Sequence, residues 1–403
     1  MEQPARPLGW RTPLGVGALL ALLVGMGVRL NDMSGRVDEG EHVEQILRLV
    51  RGEWTLNPVL TTVPGFHALI AAVVHLTGLQ TVEAMRADAL GFALAAVVAF
   101  AACAHALAPD RAVVRTWTWA LFPILTPFLF LIYTDLTSLL FVLLALFASV
   151  RGRHGFAGLA TIASMAVRQN NVLWLGFFLA LALTDTTTPR PKREWLWVYL
   201  LGFAAFAAFV VVNGGVAVGD QPSHPFPDVH ASNVYFLLSL HFVFFLPEHV
   251  ARAADVVALV RSQRWIGGAL AVGFPLFVLT FTNTHALNTG SEQDMFFLRN
   301  QLLGWLVGPL DHMAVAYAAV AWTVLSLAVT PLVRPQYLLL YPFTVLFLVP
   351  SWLVEQRYTL IPFTLFLLMR RPASARVELA TWLWMLPFTA YFLWGIEAGR
   401  FFL

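Results

Sequence analysis

Long apolar stretches alternate with short polar breaks along almost the whole chain. A hydrocarbon core about 30 Å thick is crossed by roughly 20 helical residues, and several stretches are shorter than that. The pattern predicts an all-α polytopic membrane protein with roughly 11 to 14 membrane helices, some short or re-entrant. The apolar stretches are residues 13–31, 64–82, 89–108, 116–133, 136–150, 156–167, 171–185, 195–215, 233–247, 265–283, 312–330, 337–352, 358–369 and 379–396.

The polar segment 32–63 between the first two stretches has a helical pattern of its own. Its apolar residues recur at helical spacing, with charged and amide side chains between them, as at Val43, Ile46, Leu47 and Val50. This pattern predicts a short amphipathic helix at the membrane surface. Asp38 lies just before it, where a carboxylate can cap the helix or project into a neighbouring cavity.

Composition places the chain in the bilayer. Of its 403 residues, 59% are hydrophobic and 12% are charged, whereas a soluble domain has about 25% charged residues. A single anchor carrying a soluble enzyme is therefore excluded, and a net charge of +2 gives no indication of nucleic-acid binding. No repeat or linker divides the sequence, so residues 1–403 form a single integral membrane domain. The only cysteine, Cys103, cannot form an intrachain disulfide.

Basic residues indicate the topology, because arginine and lysine are concentrated in cytoplasmic loops. The first helix, with no cleavage site after it, is predicted to be retained rather than removed as a signal peptide. The outer face receives 32–63, 216–231, 284–300, 355–358 and the surroundings of Asp135 and Arg168. The residues assigned to the inside are Arg6, Arg11, Arg151, Arg153, Arg190, Lys192, Arg193, Arg252, Arg261, Arg264, Arg334, Arg370, Arg371 and Arg376.

One segment conflicts with this count. Three apolar stretches separate the loop 32–63 from Asp135, and an odd number of crossings would put the two on opposite faces. If 64–82, which begins with Pro64 and Gly65, is re-entrant or broken, the later basic loops all fall inside, with Arg111 and Arg115. We adopt that arrangement as a hypothesis.

Polar residues collect on the predicted outer face. Ionisable groups at membrane depth cost about 3 kcal/mol each, so they normally face a cavity or the protein interior. Each cluster alone would be an ordinary turn, but four on one face, together with Asp38, predict the lining of a polar site. The clusters are Tyr133, Thr134 and Asp135; Arg168, Gln169, Asn170 and Asn171; Asp220, His224, Asp228 and His230; and Glu355, Gln356, Arg357 and Tyr358.

This set of side chains suits the transfer of a group from a phosphate. A carboxylate can accept a proton, and arginine offers a fixed fork of donors to phosphate oxygens. No glycine-rich phosphate loop is present, so a soluble nucleotide is not indicated. The histidines are scattered singly, and no metal site is predicted from their spacing. The chemistry needs no cofactor, although a divalent metal is compatible with it.

At the same clusters the sequence resembles the endoplasmic-reticulum α-1,2-glucosyltransferases that add the terminal glucose to the dolichol-linked oligosaccharide. The resemblance implies a lipid-donor (GT-C type) glycosyltransferase fold and covers most of the chain, from about residue 38 to 370. Its motifs occur in the family's order: VDEGEH with NPVLTTVPGFH, YTDLTSLLFVLLAL, VRQNNVLW, GDQPSHPFPDVH followed by NVYFLLS, and LVEQRYTLIPF. The sequence departs from the family in THALNTGSEQDMFFLRN, which lacks an Asn-Arg-His-Tyr run, and at Leu56 and Asn57, where the family has tryptophan-aspartate.

The resemblance implies roles for particular residues. Asp38 would be the general base, with Glu39 as its catalytic neighbour. The residues implied to bind the phosphate and sugar of the donor are Arg168, Gln169, Arg357, His224, Asp220, Asp135 and Glu355.

The implied reaction is an inverting transfer of a hexose, with glucose favoured, from a polyprenyl (dolichyl) phosphate sugar to a glycan or glycolipid acceptor. A mannosyl or other sugar transferase is the first alternative, and a lipid flippase or transporter is the second. Lys192 is the only lysine, which favours a GC-rich bacterial source. The site would then face outward from the bacterial inner membrane, or the lumen of the endoplasmic reticulum if the source is eukaryotic.

Overall fold

The fold is all-α, as predicted. The computed structural model describes residues 11–31, 33, 37–185, 195–222, 224–225, 228–289 and 294–403, so Arg6, Arg190, Lys192 and Arg193 lie outside the described residues. Within these ranges there is no β-strand, only two isolated β-bridges. The helices are α1 (Arg11–Leu30), α2 (Glu39–Val50), α3 (Gly65–Thr77), α4 (Val82–Leu107), α5 (Ala112–Ala120), α6 (Thr134–Val150), α7 (His154–Val167), α8 (Val172–Thr184), α9 (Leu196–Asn213), α10 (Ser232–Phe244), α11 (Leu246–Ala251), α12 (Ala253–Ser262), α13 (Trp265–Thr280), α14 (Leu298–Leu306), α15 (Leu310–Val329), α16 (Leu340–Leu348), α17 (Leu360–Met369) and α18 (Ala375–Glu397).

Five of the described helices, α1, α4, α9, α15 and α18, are long and apolar enough to cross a membrane. Shorter apolar helices occupy the remaining predicted stretches except 116–133. The chain is a multi-pass integral membrane protein. The short helices α11, α12 and α14 were not predicted. The stretch 116–133 is also not one helix, because α5 ends at Ala120 and Pro123 and Pro127, which have no backbone N–H, follow it.

The amphipathic helix predicted in the first outer loop is α2. Its apolar face packs on α3, where Ile46 and Phe66 are fully buried together with Ile132. Helix α3 contains 13 residues, which rise about 20 Å. That length is short for a 30 Å hydrocarbon core and suits the hypothesis that 64–82 is re-entrant.

Helix α17 lies in the centre of the protein, and all ten of its residues are buried. At its carboxyl end the Arg370 guanidinium pairs with Glu248 at 2.7 Å and with Glu378 at 2.7 Å. Arg115 donates to the Arg370 carbonyl at 2.9 Å. Arg115 and Arg370, both predicted to be cytoplasmic, therefore share one cluster. At the other end of α17, its amino end, the chain follows Arg357, which belongs to the polar cluster of Glu355, Gln356, Arg357 and Tyr358.

Candidate active site

Each of the four polar clusters predicted on the outer face contributes at least one residue to the wall of one cavity of about 360 Å³. Short segments before α2, α3, α6 and α17 form its wall, together with the loop after α9 and the chain end near Phe402. These segments meet although they are far apart in sequence. The lining residues are Val37, Asp38, Glu41, His42, Val59, Leu60, Thr61, Thr62, Thr134, Arg168, Asp220, His224, Leu287, Phe297, Arg299, Leu353, Glu355, Arg357, Tyr358 and Phe402.

Asp38 projects into this cavity. It occupies the N-cap position of α2, but its side chain makes no capping hydrogen bond. Instead Oδ2 accepts from Arg357 Nη2 at 3.3 Å, and 45% of the side chain stays exposed. The Asp38 carboxylate therefore projects into the cavity and does not cap the helix. The preceding Val37 has a φ of +49°, a conformation that is strained for a β-branched residue.

Two arginines share one buried carboxylate opposite Asp38. Glu355 is fully buried, and its Oε2 lies 3.3 Å from Arg299 Nη1 and 3.4 Å from Arg357 Nη2. Burial opposes the charge on Arg357, but Glu355, Asp38 and Asp135 raise its pKa well above the usual value. Arg357 therefore stays a cation between two carboxylates.

Arg168 is held beside the cavity by a residue behind it. Its Nη1 donates to Asp135 Oδ1 at 2.5 Å and to Thr134 Oγ1 at 3.3 Å, and its guanidinium lies over the Tyr358 ring. Asp135 is buried and does not line the cavity. In the described part of the chain the hydrogen bonds of Arg168 all come from Nη1, which leaves Nε and Nη2 for a ligand.

Besides Asp135, two more predicted site residues, Glu39 and Gln169, lie outside the cavity wall. Glu39 is 1% exposed and forms a two-pronged pair with Arg86, with Nε–Oε1 and Nη2–Oε2 distances of 2.8 and 2.6 Å. Gln169 uses its amide on backbone groups: Nε2 donates to Thr61 O and Val216 O, and Oε1 accepts from Val63 N. Both side chains hold segments that carry lining residues.

Asp220 and His224 reach the cavity on the loop that follows α9. A glycine allows this loop to approach, because a Cβ on Gly219 would lie 2.2 Å from the Leu60 carbonyl oxygen and 2.4 Å from that of Pro58. Burial, followed by the neighbouring His285, lowers the pKa of His224. That side chain is therefore a neutral hydrogen-bonding group in the cavity.

Several lining residues were not predicted. Arg299 and Phe297 lie in the stretch where the sequence departs from the family motif, and Phe402 joins them by a β-bridge between Phe297 and Phe402. Glu41 accepts a 2.6 Å hydrogen bond from Asn57 Nδ2. Among Arg299, Phe297 and Phe402, only the charge of Arg299 could have indicated a site residue from the sequence. Among the described residues no cluster of three or more metal-binding side chains occurs.

Comparisons with known proteins agree on one family. A profile of the DIE2/ALG10 family matches residues 34–195 and 192–368. A human protein named Dol-P-Glc:Glc(2)Man(9)GlcNAc(2)-PP-Dol alpha-1,2-glucosyltransferase is 25% identical, with 82% of each chain covered. Proteins of the same name from Drosophila melanogaster and Kluyveromyces lactis are 26% and 23% identical, and cover 93% and 81% of this chain and 92% and 72% of their own. No solved structure matches the chain.

Proposed function

Because the chain belongs to the DIE2/ALG10 family, we propose that it transfers glucose from a polyprenyl or dolichyl phosphate to a lipid-linked glycan. It is a multi-pass membrane glycosyltransferase, and the relatives whose names specify donor and acceptor are similar over most of its length. We further propose that the cavity opens to the outer or lumenal face of the membrane.

One observation carries the proposal. The Asp38 carboxylate, 45% exposed, is within 3.3 Å of Arg357 and shares its cavity with Arg168. A proton acceptor and two cationic groups therefore face the same space, which suits a reaction that starts at a hydroxyl and ends at a phosphate.

The reaction proceeds as one displacement. The acceptor hydroxyl oxygen attacks the anomeric carbon while its proton passes to the Asp38 carboxylate. The bond between the anomeric carbon and the phosphate oxygen breaks with inversion, and the phosphate leaves with the electron pair. Arg168, through Nε and Nη2, and Arg357 hold that phosphate, as preorganised donors do where negative charge develops. The protein supplies the base and the anion site from its own side chains.

The test measures sugar transfer by the purified protein in lipid nanodiscs, with a radiolabelled polyprenyl phosphate glucose and a lipid-linked glycan. A general base is typically worth 10²- to 10⁴-fold, so Asp38→Asn should lower kcat by that factor and leave donor binding almost unchanged. Asp228→Asn is the matched control, because Asp228 pairs with His230 at 2.7 Å and does not line the cavity.

Retention of kcat within about threefold in Asp38→Asn, well below the usual contribution of a general base, would contradict the mechanism. Movement of the donor across the bilayer with no transfer of label would favour the flippase instead. Replacing the glucose donor with a mannose donor tests the remaining alternative. Faster transfer of mannose would contradict the assignment of glucose.

A further inference from the structure

His42 lies in the cavity wall one helical turn after Asp38. Its backbone N–H donates to the Asp38 carbonyl at 3.1 Å, so the two side chains are held on neighbouring positions of α2. Its ring contacts Tyr133 edge-on, with 5.3 Å between the ring centroids. The residue is 5% exposed, so its ring is enclosed by protein on most sides.

A second histidine holds this ring from behind. His42 Nδ1 and His67 Nε2 are 2.9 Å apart, so one of them donates a proton to the other. His67 is fully buried, and its Nδ1 has no hydrogen-bond partner among the described residues. His42 Nε2 has no partner there either, but His42 lines the cavity.

The unpartnered nitrogen of His67 decides the direction of this hydrogen bond. If His42 donated, the neutral His67 would carry its proton on Nδ1, which would be a buried N–H with no acceptor. Buried N–H groups without an acceptor are rarer than unsatisfied acceptors. His67 therefore donates from Nε2 to His42 Nδ1, and His42 carries its own proton on Nε2, at the cavity.

The ring also stays uncharged. Burial, then the guanidinium groups of Arg357 and Arg168, lowers the pKa of His42 to about 3. A neutral ring with a fixed N–H beside the proposed base can donate a hydrogen bond, but it cannot compete with Asp38 for the proton.

We propose that His42 is a substrate-binding residue whose Nε2–H donates a hydrogen bond to a hydroxyl oxygen of a hexose in the cavity, next to Asp38. This inference rests on the proposed function, because the hexose is its ligand. The hydroxyl could belong to the donor glucose or to the terminal sugar of the acceptor, and both present the same chemistry.

Two matched variants separate this role from a structural one. In His42→Gln the amide nitrogen takes the place of Nε2, so the donor at the cavity remains while the bond to His67 is lost. In His42→Asn the amide takes the place of Nδ1, so the bond to His67 can remain while the donor at the cavity is lost.

Transfer kinetics and thermal stability of both variants are measured in nanodiscs. We expect His42→Gln to keep kcat/KM within about fivefold and His42→Asn to lose about 10- to 100-fold, as when one hydrogen bond to substrate is removed. The melting temperatures should run in the opposite order, with Asn above Gln. The inference is overturned if the loss of kcat/KM follows the loss of stability, or if both variants keep full activity.

Deoxy donors and deoxy acceptors identify the hydroxyl. The deoxy compound that lacks the bonded hydroxyl should react equally slowly with the wild type and with His42→Asn, whereas the other deoxy compounds should still distinguish the two. If every deoxy compound distinguishes them, His42 has no hydroxyl partner and the inference fails. Transfer by the wild type reports separately on the proposed function, since its absence would overturn both.

Discussion

Replacing Arg86 with leucine tests how the start of α2 is held. The Arg86 and Glu39 side chains are 3% and 1% exposed. Arg86 Nη1 also donates to the carbonyls of Asn31 and Met33 at 2.7 and 2.6 Å. The Arg86→Leu substitution leaves a buried carboxylate without its guanidinium partner, which costs about 3 to 5 kcal/mol.

The expected loss is large enough to measure by thermal unfolding in detergent, and should lower Tm by about 4 to 6 °C. Replacing both charges, with Arg86→Leu and Glu39→Leu together, should recover most of that loss, because removing a whole buried pair is often neutral. The matched control is Arg48→Leu, since Arg48 forms a partly exposed i,i+4 pair with Glu44 at 2.9 Å, worth less than about 1 kcal/mol.

A fall in Tm below 2 °C for Arg86→Leu, or a double variant no more stable than the single one, would refute the reasoning. The activity of Glu39→Gln then reports on the catalytic role that the resemblance implied for Glu39. Transfer that falls only in proportion to folded protein assigns Glu39 to holding α2, whereas a separate fall in kcat assigns it to the reaction.

Arg168→Lys keeps the charge but loses the fork, and should raise KM for the donor about tenfold, measured by transfer rates at varied donor concentration; an unchanged KM would remove Arg168 from the phosphate site. Gly219→Ala should lower transfer by displacing Asp220, because the added Cβ meets backbone oxygens at 2.2 and 2.4 Å, and normal activity would show that the loop does not position the site. Acid should destabilise the protein through His42, whose pKa falls from an ordinary value near 6.5 to about 3 on folding. Its contribution is complete above pH 6.5 and declines by up to about 1.4 kcal/mol per unit as pH falls towards 3; a wild-type Tm that falls below pH 6.5 no more steeply than that of His42→Gln would contradict this.

The arrangement of the site followed from the sequence where a polar residue interrupts an apolar stretch. Arg168 and Arg357 stand out for that reason, since charge in such surroundings has a cost that only a cavity or a partner removes. The amphipathic spacing of α2 likewise predicted the helix that places Asp38. The structure brings these three side chains to one cavity.

The remaining contacts depend on pairings far apart in the chain, which no local pattern records. Glu39 follows Asp38 directly in the sequence, which suggested a shared role, but its side chain pairs with Arg86, 47 residues away on α4. Arg299 and Phe402 reach the cavity through a β-bridge between Phe297 and Phe402. The helix predicted over 116–133 ended early because two prolines outweigh the hydrophobic pattern.

The side-chain amide of Gln169 makes two walls of the cavity depend on each other. It bonds to the backbone at Thr61, Val63 and Val216, and so ties the segment before α3 to the loop after α9. A relative with a different acceptor would have to remodel both walls in concert, since either one alone would lose its fit to this amide. Exchanging one of these two segments between such relatives would therefore disrupt its hydrogen bonds to Gln169. The smallest unit that can be exchanged intact consists of both segments together with the glutamine.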